Sequence, residues 1–115
     1  MAVVRGSDRY SGGGQVVTIG NFDGVHRGHR ALIDAARELA VPAGVCAYTF
    51  HPAPRDVLRP DNGILRLQTL DDRVARLHAV GADTVLVEPF DRDFAAHTPD
   101  WFANEVLVGR LGASA

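Results

Sequence analysis

The chain has 115 residues, of which 46% are hydrophobic and 23% charged, with a formal net charge of −2. That length allows one small domain with a core; the charge gives no basic surface for non-specific nucleic-acid binding, and no apolar run reaches the length of a membrane span. The single cysteine, Cys46, excludes an internal disulfide and fits a reducing compartment, and the start Met1-Ala2-Val3-Val4-Arg5 lacks the apolar core of a signal peptide, so a cytoplasmic protein is expected.

Ala2 to Arg5 is a candidate edge strand, followed by the flexible glycine run Ser11-Gly12-Gly13-Gly14. Val16, Val17 and Ile19 form a β-branched run that suits a buried strand. Gly20 to Gly28 is a glycine-punctuated turn. From about Gly28, Leu32, Ile33, Ala36, Leu39 and Ala40 recur at helical spacing, and Pro42 ends that helix. Val45 to Phe50 reads as a second strand, with Cys46 as a small buried hydrophobe. Three prolines between Phe50 and Pro60 make a restricted loop, and Asp61-Asn62-Gly63 a turn. Thr69 is a candidate N-cap with Asp72 three residues on; Leu70, Val74, Leu77 and Val80 form the next helical stripe, and Gly81 stops it. Thr84 to Val87 is a third strand. Thr98-Pro99-Asp100 combines an N-cap, a proline at the first helical position and an acid in the first turn; Phe102, Val106 and Leu107 carry that helix's buried face and Gly112 its cap.

Alternating strands and helices predict an α/β fold with a parallel sheet. In such sheets ligands bind at the carboxyl ends of the strands. One crevice therefore gathers Asn21 to His29, His51 to Pro54, and Phe90 with Asp91. The first loop delivers free N–H groups and the positive end of a helix dipole to one point, which favours an anion. His26 and His29 could donate there to phosphate oxygens. Neither a Walker A loop nor a dinucleotide fingerprint fits: the chain has no lysine, and Gly20, Gly24 and Gly28 are spaced four apart.

The run Thr18-Ile19-Gly20-Asn21-Phe22-Asp23-Gly24-Val25-His26-Arg27-Gly28-His29 resembles the HxGH nucleotidyltransferases, and more narrowly the FMN adenylyltransferase (FAD synthetase) domain of bacterial bifunctional riboflavin kinase/FAD synthetases. The resemblance continues through Thr49 to Pro54, Leu65 to Leu70, Phe90-Asp91, Phe94-Ala95, Pro99, Phe102 and Leu107. It implies a Rossmann-like parallel sheet, incomplete at its C-terminal side, in one partial domain over residues 1–115 with no riboflavin kinase domain. The implied reaction is adenylyl transfer from ATP to FMN, with Mg²⁺ accompanying ATP. His26 and His29 are the implied catalytic residues; Gly20, Asn21, Phe22, Asp23, Gly24, Gly28, His51 and Pro52 are the implied nucleotide contacts. Two positions depart from the family: His51 stands where an acid is usual, and Ala53 where a histidine is usual.

Plainer readings stand beside these. A histidine before a helix is often a polar cap. Asp23 is either a magnesium or ribose contact or a turn residue; Asn21 and Phe22 suit turn and packing roles; His51 is either site or loop filler. Asp91 serves a site or a helix end, His78 and His97 read as surface, and Trp101 as packing. Two other functions stay open: a non-catalytic adenine-nucleotide-binding fragment that needs a partner chain, and a different HxGH nucleotidyltransferase. An uncompleted sheet edge beside residues 16–19 predicts self-association.

Overall fold

The strands form because β-branched residues crowd four short segments whose alternate side chains each meet a packed layer. The computed structural model describes residues 2–11, 13–20, 22, 27–39, 42–51 and 70–115, with the backbone alone at residues 2 and 27–29. β1 (Ala2–Arg5), β2 (Val16–Ile19), β3 (Val45–Phe50) and β4 (Thr84–Glu88) make a parallel sheet in the order β1-β4-β3-β2. The registers Val16↔Val45, Cys46↔Thr84 and Ala2↔Thr84 align the four strands. The candidate strand at Ala2 to Arg5 is thus present, beside β4 and on the far side of the sheet from β2.

Side-chain alternation divides the core in two. Ala47, Val85 and Val87 pack with Phe22, with Ile33 of α1 (Arg27–Glu38) and with Leu77 of α2 (Leu70–Ala79). Val16 and Val45 meet Ala36 of α1 on that same side. Cys46, Tyr48 and Leu86 point the other way, to Val106 and Leu111. Burial pushes the Cys46 thiol up to about 12, the main cause being desolvation, so this cysteine behaves as the small hydrophobe expected.

Helix ends follow their capping residues. α2 closes in a Schellman turn, with Ala82 N–H donating to Leu77 O and Gly81 N–H to His78 O. Gly81 has φ 122°, and a Cβ there would lie 2.7 Å from Arg37 Nη1. Asp91 caps α3 (Arg92–Ala95) by accepting from Phe94 N–H at 2.7 Å. Thr98 caps α4 (Pro99–Trp101) by accepting from Trp101 N–H at 3.1 Å. The helix then continues over Phe102–Arg110 in π form, a difference from the α-helix expected. Leu111 N–H reaches back five residues to Val106 O, which turns Val106 and Leu111 into one core; in an α-helix residues five apart diverge around the cylinder.

On the π-helix side a polar group is buried. Tyr48 Oη donates to Glu88 Oε2, Ser7 N–H donates to Glu88 Oε1 at 3.0 Å, and Arg110 Nη1 donates to Ser7 Oγ at 3.0 Å. Burial and then the neighbouring Glu88 carboxylate raise the Tyr48 hydroxyl above its ordinary value. β2 is an edge strand, as expected, but its first half is met by the chain's own end: Ser114 N–H donates to Gln15 O and Val17 N–H to Ala115 O. Among the described residues no helix is long and apolar enough to cross a membrane.

Candidate functional site

β2 leaves the sheet at Gly20, whose N–H donates to Tyr48 O at 3.0 Å. The chain turns at once. Phe22 takes φ 54°, a left-handed conformation uncommon for an aromatic residue, and returns its ring to the core at 1% exposure. That ring passes beneath Gly20: a Cβ at Gly20 would lie 3.3 Å from it. The small residue at position 20 and the buried ring at position 22 fit each other.

α1 starts five residues after Phe22, at Arg27, and carries no acidic residue in its first turn. No acid within that turn offsets its dipole, which favours an anion at the end of β2. Gly28 and His29 lie in that first turn. Asn21, Asp23, Gly24 and His26 lie outside the described residues, as does Pro52. Thr18 shares the α1-facing row of β2 with Val16; its hydroxyl is buried and has no hydrogen-bond partner among the described residues.

β3 is hydrogen-bonded to β2, so its carboxyl end stands beside that turn. There His51 N–H extends the ladder to Glu88 O at 3.0 Å and the His51 side chain is exposed. Beneath the strand end lies a residue the sequence reading passed over. Arg73, in α2, is only 5% exposed, and its Nη2 donates to Phe50 O at 3.4 Å, a long hydrogen bond. The signal for it was available: Arg73 sits three residues after Leu70 and four before Leu77, within the apolar stripe.

The third expected strand end differs. Asp91 serves as the α3 cap, and beyond β4 lies an aromatic cluster instead of a polar crevice. Phe50, Phe90, Phe94, Trp101 and Phe102 meet with ring centroids 5.6–6.2 Å apart where they pair with Phe94 or Phe90. His97 is exposed and stacks on Trp101 at 3.6 Å, and Trp101 packs against the π-helix core. Gly20, the start of α1, His51 and Arg73 thus share one end of neighbouring strands, whereas Asp91 stands beyond β4. No three His, Cys, Asp or Glu side chains gather as a metal site among the described residues.

The sequence pattern of the FAD synthetase family matches residues 9–115. The bifunctional riboflavin kinase/FMN adenylyltransferase of Escherichia coli K12 is 40% identical over 116 residues, covering 96% of this chain and 37% of that protein. The enzyme of the same description from Pseudomonas fluorescens is 41% identical over 101 residues (86% and 32%), and that from Bacillus subtilis 34% identical over 97 (82% and 31%). The chain covers 37% of the length of the first of these relatives. A crystal structure of a macrolide-efflux protein from Streptococcus pneumoniae superposes with a TM-score of 0.80 over 98% of this chain and 40% of its own, at 24% identity; that likeness concerns the fold alone. With the matched pattern running from Arg9 to the last residue, through the turn at Gly20 and both strand ends beside it, the chain belongs to the FAD synthetase family.

Proposed function

We propose that this chain binds Mg-ATP at the carboxyl ends of β2 and β3 and transfers its adenylyl group to FMN. A phosphate oxygen of FMN attacks the α-phosphorus of ATP, the bond from that phosphorus to the bridging oxygen breaks, and FAD and pyrophosphate result. No protein nucleophile is required, because positioning and charge stabilisation supply most of the catalysis in such transfers. The N–H groups opening α1 cradle phosphate oxygens, and His26 and His29 stabilise the charge that develops on the transferred and leaving phosphates. Gly20, Asn21, Phe22, Asp23, Gly24 and Gly28 contribute the turn around the nucleotide, with His51 and Pro52 from the neighbouring strand end. Mg²⁺ enters with ATP, held largely by phosphate oxygens.

The observation that carries this reading is the start of α1, without a first-turn acid, at the end of β2 in a chain of this family. The test is calorimetric titration with Mg-ATP and then FMN, followed by chromatography for FAD. Binding with FAD formed supports transfer. Binding without FAD leaves a nucleotide-binding module, and absence of binding to a folded chain refutes both. His29→Ala is expected to weaken Mg-ATP binding or turnover; unchanged behaviour in both removes His29 from the site.

A further inference from the structure

Arg73 is unusual in two ways. It stands at the end of the first turn of α2, where the helix dipole disfavours a cation. It is also buried, which costs a guanidinium its hydration. Its neighbours on the same stripe, Leu70, Val74 and Leu77, pack as apolar residues. Among its interactions, the guanidinium provides a donor to Phe50 O, the last carbonyl of β3. The next residue is His51, whose N–H is held by Glu88 O. The exit of β3 is thereby gripped from both sides, from α2 by Arg73 and from β4 by Glu88.

We propose that Arg73 is a positioning residue of the nucleotide site, fixing the carboxyl end of β3 and so presenting His51 to the phosphates. This rests on the nucleotide reading given above. Arg73 acts through the backbone of residues 50 and 51 and not by touching the reacting atoms. A misplacement of a site residue by about 1 Å is enough to lose a large factor in activity, so loss of one of the two holds at the strand end has a measurable effect.

The test uses Arg73→Met, Arg73→Lys, His51→Ala and the double variant Arg73→Met/His51→Ala in the full chain. Affinity for Mg-ATP is measured by calorimetry, and exchange of the His51 amide by NMR. Arg73→Met is expected to weaken Mg-ATP binding by about tenfold and to speed exchange at His51 more than at the β2 amides. Arg73→Lys, which keeps one donor, recovers part of both. His51→Ala weakens binding in the wild-type background and adds nothing in the Arg73→Met background, since the two act in series. Equal affinity of Arg73→Met and wild type, or losses that simply add, overturns the role of Arg73 while leaving nucleotide binding intact. A wild-type chain that does not bind Mg-ATP sinks the nucleotide reading itself. If Arg73→Met fails to fold, Arg73→Lys decides: unchanged affinity and unchanged His51 exchange refute the proposal.

Discussion

Replacing Phe22 by alanine tests whether the turn after β2 is anchored by its ring. The side chain is 1% exposed and packs with Ile33, Ala47, Leu77 and Val85. Deleting a buried phenylalanine side chain costs about 3–5 kcal/mol, from lost transfer energy plus the cavity left behind. Near this size about 4 °C of melting temperature follows each kcal/mol, so Phe22→Ala is expected to melt about 12–20 °C lower. Glycine at the same position removes the ring but also relieves the left-handed backbone at φ 54°, a difference of about 1–2 kcal/mol, so Phe22→Gly is expected to be no worse than Phe22→Ala despite glycine's greater chain entropy. Urea and thermal unfolding followed by far-UV circular dichroism measure both, with Leu32→Ala, an exposed residue of α1, as the control near zero. A loss below about 1 kcal/mol for Phe22→Ala, within the range of ordinary substitutions, would refute the anchor.

Three further outcomes follow from the packing. The folded state holds the Cys46 thiol protonated to about 12 against an ordinary 9.0; a raised value means that its contribution is full below pH 9 and is lost as pH rises toward 12, so between pH 8 and pH 11 the wild type should lose more melting temperature than Cys46→Ala, and equal losses refute this. Tyr48, raised in the same direction, adds to the alkaline loss in both proteins. Gly81→Ala should destabilise by about 1–2 kcal/mol from the left-handed cap alone, and the crowding against Arg37 Nη1 predicts that part of the loss is recovered when Arg37→Ala is added in a denaturation series. Thr98→Ala removes the acceptor for Trp101 N–H and should cost about 1 kcal/mol in urea unfolding; no change would mean that the cap is replaced by water.

The elements legible in the sequence were those with strong local chemistry. Val16 to Ile19 and Val45 to Phe50 are strands at the expected residues, and Gly81 and Thr98 end and start their helices because one demands a left-handed backbone and the other offers an oxygen. The partner of β1 was not legible, because its pairing with β4 joins segments some eighty residues apart and leaves no local mark. The π form of Phe102–Arg110 was hidden for a related reason: it answers to where Val106 and Leu111 must both be buried, a tertiary demand. At the site, the histidine-glycine run stood out, whereas Arg73 did not. A charged side chain in an apolar stripe is easily taken for a solvated one, and only the depth of α2 against the end of β3 shows otherwise. For Asp91 the sequence left a site and a helix end open, and the structure gives the helix end, its carboxylate accepting from Phe94 N–H.

The hydrogen bond from Ser7 N–H to Glu88 Oε1 joins residues 81 apart in the chain. A ribosome delivers the chain in order, yet β1 has its only described strand partner in β4, the last of the described strands. Residues 2–5 must therefore stay unpaired until β4 has been made, while β2, α1 and β3 can already condense around nearer contacts. Closing so long a loop is slow relative to local pairing. The Ser7–Glu88–Tyr48 group, with Arg110 reaching Ser7 from more than a hundred residues on, acts as a latch that can shut only after Arg110 has emerged.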